Sequence, residues 1–189
     1  HKKIHWLSHS GGGHLALMHL ARNPNFQNQF ASIVTLGAQA TDGAMGLKFK
    51  SRAMILWAIT KTLGHFPKRL ASVGTEGEPS QLLAQWAKWN ITGQWLGTDG
   101  FDYLQGLSAL TLPALIMAGG NDNIAPESGC KKVFTMLASP DKSWQVCSIS
   151  NGFSKDYSHG QLIRGSAAKT EVFVTIADWL IERTPMNTA

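Results

Sequence analysis

An α/β architecture is predicted: a four-stranded parallel sheet with helices on both faces and an inserted helical lid. Three features of the sequence point to it. Short apolar runs alternate with helical patterns along the chain. Those runs are apolar on both faces, as strands between two helical layers must be. One long stretch, 42–108, drops the alternation and carries helical patterns and glycine-rich breaks instead.

The elements follow in order. Residues 3–7 (Lys-Ile-His-Trp-Leu) form a short strand. It ends in Ser-His-Ser-Gly-Gly-Gly and leads into a helical pattern through Leu15, Leu17, Met18, Leu20 and Ala21, stopped at Asn23-Pro24. Residues 30–36 form a second strand, rich in β-branched side chains and closed by Gly37. Residues 114–118 form a third, closed by Gly119-Gly120. A helix over 127–138 starts just after Pro126. Residues 144–149 form the fourth strand. A last amphipathic helix spans 169–182, with Val172, Phe173, Ile176, Trp179 and Leu180 on one face. The core is thus expected over 1–42 and 109–189, and the lid over 43–108.

Bulk properties exclude several classes. A chain of 189 residues, 43% hydrophobic and 15% charged, can bury one substantial core. No apolar run reaches the length of a membrane span. The net charge is +5, but the basic residues are scattered and do not form the aromatic-interleaved face that nucleic acid needs. The densest set, Lys48, Lys50, Arg52, Lys61, Lys68 and Arg69, flanks an apolar helix over 47–63. Packing within the lid is the reading for that helix, and contact with an anionic lipid surface is the alternative. Cys130 and Cys147 have neither metal-knuckle nor redox-pair spacing, and Cys147 reads as a buried small hydrophobe. The chain opens at His1 inside a strand, so a preceding segment is expected. With no targeting signal in view, the cytoplasm is the default compartment.

Three short segments carry candidate chemistry. In Ser8-His9-Ser10-Gly11-Gly12 a serine sits between a strand and a helix, where a sharp strained turn would project its hydroxyl. The residues two places either side should be small, because they approach closely; Ser8 and Gly12 are. The Gly11 amide, at the positive end of the helix, would face an oxyanion. A phosphate-binding glycine loop is the alternative, but the lysine of a P-loop is missing. In Gly119 to Pro126, Asp122 follows a strand at the ligand edge of the sheet and could orient a histidine. An Asx turn capping the next helix explains it equally well.

In Asp156-Tyr157-Ser158-His159-Gly160, His159 lies in a loop at the same edge. Of the seven histidines it has the right place and order to move a proton. His5, His14 and His19 read as packed or surface residues, and His65 belongs to the lid. His9 is expected to face the other way along the turn and pack there, and is also kept as a candidate substrate contact. The order serine, acid, histidine, each after a strand, is that of one nucleophile arrangement among several.

The elbow, the segment 115–126 and the segment 157–180 together resemble the α/β-hydrolase superfamily, esterase- and lipase-like members above all. The resemblance implies that the strands are the last four of that sheet, its C-terminal half. It implies hydrolysis of a carboxylic ester through an acyl-enzyme, with Ser10 as nucleophile, His159 as base then acid, and Asp122 holding His159. Gly11 would give one oxyanion amide. The loop that gives the second has no counterpart in this chain, so a missing N-terminal segment or a partner chain is expected to complete the sheet. Trp57, Trp86 and Trp89 of the lid would line an acyl pocket, or pack among themselves. The partner implied is a small-molecule ester or acyl substrate, with no cofactor and no metal. The same triad serves acyltransferases and peptidases, and a catalytically inactive fragment or ligand-binding protein is the third class.

Overall fold

The apolar runs become one four-stranded parallel sheet in the computed structural model of the protein, with order β1-β2-β3-β4. The strands are β1 (Ile4–His9), β2 (Phe30–Leu36), β3 (Ala114–Gly119) and β4 (Lys142–Cys147). The longer helices among the described residues are α1 (Gly11–Arg22), α2 (Ser80–Thr92), α3 (Glu127–Met136) and α4 (Phe173–Ile181). The structure describes residues 3–42 and 80–184, with the isolated positions 51, 54, 55, 58 and 62.

Parallel pairing sets the register: Ile33, Val34, Thr35 and Leu36 of β2 lie opposite Ala114, Leu115, Ile116 and Met117 of β3. Every residue of β3 is buried, as a central parallel strand should be. Alternate residues point to opposite faces. Val34, Leu36, Leu115 and Met117 form one face and pack with Val172, Ile176 and Trp179 beneath α4. Thr35 points the other way, toward Gly13 of α1. Each large apolar side chain buried this fully contributes about 1.5–3 kcal/mol.

The edges differ from expectation. Strand β4 starts two residues early, at Lys142, and stops at Cys147. Lys142 belongs to it because its ammonium donates to the Phe134 and Leu137 carbonyls, at 3.0 and 2.6 Å, at the C-terminus of α3. Ile149 leaves the sheet because its amide turns to the Asp156 carboxylate at 3.0 Å. Helix α3 ends at Met136 and not at residue 138, since Leu137 takes an extended conformation.

The last helix is not uniform. A π turn, Ala168–Val172, precedes α4 and shifts its phase. Val172, Ile176 and Trp179 are buried, but Phe173, expected on the same face, is 39% exposed. Among the described residues β1 pairs with β2 alone, and its Ile4 and Leu7 are exposed. Cys130 and Cys147 are free and buried; burial pushes the Cys147 thiol up to about 12 and raises Cys130 as well.

The chain forms two compact units, His1–Gly43 with Trp95–Ala189, and Ala44–Gln94. The sequence places the second lid boundary at 108, whereas residues 95–108 lie in the first unit. Arg22 of α1 holds them there. Its guanidinium makes a two-pronged pair with Asp99, at 2.7 and 2.9 Å, and donates to the Tyr103 hydroxyl at 3.2 Å. Trp95, Tyr103 and Leu107 are buried. Within the second unit, α2 carries Trp86 and Trp89, the latter buried. Of the helix expected over 47–63, positions 51, 54, 55, 58 and 62 are described and are helical, with Met54 and Ile55 exposed. No helix among the described residues is long and apolar enough to cross a membrane.

Candidate active site

The turn after β1 carries backbone strain. Ser10 has φ 54° and ψ −125°, a region that side-chain-bearing residues avoid at a cost of order 1–3 kcal/mol. Its neighbours hold it there. The Ser10 amide donates to the Leu36 carbonyl at 2.9 Å, which continues the β1 ladder. Its carbonyl accepts from the amides of Gly13 and His14, at 2.9 and 3.2 Å, which starts α1. The amides of Gly11 and Gly12 fall in the first turn of that helix, where no helical carbonyl precedes them.

Where the turn is tight differs from the sequence expectation. A Cβ on Gly12 would lie 3.8 Å from the Ser8 Cβ, an ordinary contact. A Cβ on Gly13 would come within 2.5 Å of the Ala38 Cβ, an overlap. The close approach is therefore between α1 and the chain after β2. Gly13→Ala is expected to destabilise the fold by about 1–3 kcal/mol, as overpacking does, whereas Gly12→Ala changes it by less than about 1 kcal/mol. Paired denaturant titrations check this, and equal losses at both positions would contradict it.

The elements bring Ser10, His159 and Asp122 together. The His159 Nε2 lies 2.8 Å from the Ser10 Oγ, and its Nδ1 lies 2.8 Å from the Asp122 Oδ2. A carboxylate only accepts, so the His159 Nδ1 carries the proton and Nε2 presents a lone pair to the serine hydroxyl. The Asp122 side chain is fully buried and that of His159 is 14% exposed. The two explanations of Asp122 coexist on separate oxygens. Its Oδ1 accepts from the amides of Ile124 and Ala125, at 2.9 and 2.8 Å, closing the Asx turn. Its Oδ2 is left for His159.

The loop carrying His159 is braced through Tyr157. The Tyr157 amide donates to the Cys147 carbonyl, and its own carbonyl accepts from the Asn121 amide, both at 3.0 Å. Its hydroxyl donates to Glu171 at 2.9 Å, and Glu171 sits in the π turn. Ser158 and Gln161 then form a capping box around the short turn His159–Leu162. The sequence offered Tyr157 as part of a motif but gave no signal for Glu171.

Gly37 was legible only as a strand end. It has φ 55°, and a Cβ there would lie 3.1 Å from both the Asp122 Oδ2 and the His159 Nδ1. The pair occupies the space that a side chain at 37 would take. A glycine at the C-terminal edge of a strand was the available clue.

His9 does not face away from the site. Its Nε2 lies 3.0 Å from the main-chain carbonyl oxygen of His159, and the two rings are 4.6 Å apart. Burial, and after it the neighbouring His159 ring, hold its pKa below the ordinary histidine value. His14 is buried with its Nε2 on the Gln39 carbonyl, and His5 bonds Ser32 at 2.7 Å, so both are packed as expected. His19 is exposed and stacks edge-on to Phe26. Trp86 and Trp89 lie in the second unit, and Trp57 and His65 lie outside the described residues.

No family model and no curated protein matches the sequence. Solved structures do match its fold. A monoacylglycerol lipase from Paleococcus ferrophilus is similar with a TM-score of 0.62 at 14% identity, over 97% of this chain and 70% of that one. A thermophilic esterase from Thermogutta terrifontis has a TM-score of 0.53 at 17% identity, over 97% and 66%. Mouse alpha/beta hydrolase domain-containing protein 10 has a TM-score of 0.55 at 15% identity, over 97% and 64%. This chain spans about two thirds of the length of these structures.

Proposed function

This chain has the α/β-hydrolase fold, and on that fold we propose that it is the catalytic part of a serine hydrolase acting on carboxylic esters. The unbroken hydrogen-bond chain Ser10–His159–Asp122 carries the reading. Ser10 Oγ attacks the acyl carbonyl carbon while His159 Nε2 takes its proton. The carbonyl oxygen becomes an oxyanion, and the Gly11 amide at the start of α1 donates to it. Asp122 stabilises the imidazolium so formed. Collapse breaks the bond to the leaving alkoxide, which takes the proton from His159. Water then attacks the acyl-enzyme, giving its proton to His159, and the second collapse returns that proton to Ser10 and releases the carboxylic acid.

The strain at Ser10 supports this role, since a position of this kind persists where the surroundings over-determine it.

Labelling of the full-length protein by a fluorophosphonate tests the reading. The wild type is expected to label at Ser10 and to turn over p-nitrophenyl esters. Ser10→Ala is expected to lose the label and roughly 10⁴–10⁶-fold in kcat. Equal labelling of the two would remove Ser10 as nucleophile.

A further inference from the structure

We infer that His9 is a positioning residue, whose ring N–H holds the main-chain carbonyl of His159 and so fixes where the His159 imidazole meets Ser10. The inference rests on the proposed roles of Ser10 and His159. It gives His9, otherwise expected as a substrate contact, a bond from its Nε2 to the His159 carbonyl.

The geometry is a closed circuit. His9 and Ser10 are consecutive, and each bonds the same residue. Ser10 Oγ meets the side chain of His159 at 2.8 Å, and His9 Nε2 meets its main chain at 3.0 Å. His9 is the last residue of β1 and lies opposite Leu36 of β2, so its backbone is held by the sheet. His159 belongs to a loop outside the sheet. The braces at Tyr157 anchor that loop to the β3 and β4 side, and the capping box closes the turn on itself. The bond from His9 links the histidine to the strand that carries the serine. Moving the His159 turn away from Ser10 stretches both bonds.

The chemistry requires a neutral donor. A carbonyl only accepts, so the His9 Nε2 carries a proton. The ring stands 4.6 Å from an imidazole that becomes a cation during the reaction. A charged His9 would oppose that cation. Burial favours the neutral form, and so do His159 and Arg164, while Asp122 and the bond to the His159 carbonyl pull the other way. The balance keeps His9 below the ordinary histidine value, so it donates its hydrogen bond near neutral pH without adding a second charge.

The test compares His9→Met and His9→Gln with wild type in the full-length protein. Methionine keeps length and apolar bulk and removes the donor; glutamine restores an N–H donor at similar reach. His9→Met is expected to lower kcat for a p-nitrophenyl ester by about tenfold to a hundredfold, with KM changed by less than about threefold, since small misplacements of reacting groups cost this much. Fluorophosphonate labelling should slow in parallel. His9→Gln should recover most of the loss. Equal losses in the two variants, a change in KM alone, or no loss would overturn the inference. Nitrogen NMR of the wild-type histidines gives a readout that needs neither variant to fold. His9 is expected as the Nε2–H tautomer, and the Nδ1–H tautomer would overturn the inference. If the wild type neither labels at Ser10 nor hydrolyses esters, the proposed function fails, and the tautomer still reports whether the His9–His159 bond exists.

Discussion

Asp122→Asn in the full-length protein is expected to lower kcat by about 10⁴-fold with the fold intact. The reason is a clash of donors. Asparagine can keep its carbonyl oxygen on the amides of Ile124 and Ala125, where Oδ1 sits now. Its NH₂ then faces the His159 Nδ1 in place of Oδ2. Two N–H groups cannot pair, so the imidazole moves its proton to Nε2. That nitrogen then no longer accepts from Ser10. Asp122→Ala separates the two functions of the carboxylate. It should lose comparable activity and in addition about 1–3 kcal/mol of stability, because buried amides are left without an acceptor. Steady-state kinetics and thermal melts of both variants check this. An asparagine variant keeping more than a tenth of wild-type kcat would take Asp122 out of the proposed role.

Gly37→Ala should lower both activity and stability. The positive φ alone costs a side-chain-bearing residue about 1–2 kcal/mol. The new methyl would also press on both atoms of the Asp122–His159 hydrogen bond at 3.1 Å, tighter than ordinary contact. Neither can retreat freely, since the Asx turn holds Asp122 and the Tyr157 brace holds the His159 loop. Separation of the pair, or tilting of the imidazole away from Ser10, should lower kcat on the order of 10²-fold, as expected for a misplacement near 1 Å. The effect should fall on kcat more than on KM. Kinetics together with a denaturant titration test it, and a variant as active as wild type would mean the pair tolerates displacement.

These expectations depend on residues whose visibility in the sequence differs sharply. Ser10, Asp122 and His159 each follow an apolar run and a glycine-rich or polar break, so local pattern marks all three. Strand β2 spans 30–36 as its β-branched composition suggests, and β3 extends the expected run by one residue. Strand β4 was harder to read because an edge strand is half exposed and its ends are set by partners elsewhere, Lys142 on α3 and Asp156 under Ile149. The Arg22–Asp99 pair, joining positions 77 apart, ties residues near 99 to α1 of the first unit, and no local signal could report it.

Gly37, His9 and Glu171 share that difficulty. Each acts through a partner far along the chain: Gly37 by the space it leaves for Asp122 and His159, His9 by a carbonyl 150 residues away, Glu171 by the hydroxyl of Tyr157. A histidine beside the serine could have pointed to either face of the turn, and only the packed loop shows which.

Short-range pattern was enough to mark the parallel sheet, its strand order along the chain and Ser10, Asp122 and His159 as candidates at strand ends. Apolar periodicity, turn glycines and strand-end polar residues are properties of neighbours a few positions apart. Folding decided the rest: which oxygen of Asp122 serves the turn and which serves His159, why glycine stands at 37, where the tight contact lies at 13, and what His9 holds. Those depend on atoms brought within hydrogen-bond or van der Waals reach by the closure of long loops, and a distance of 3 Å between residues 9 and 159 is not encoded in the neighbours of either.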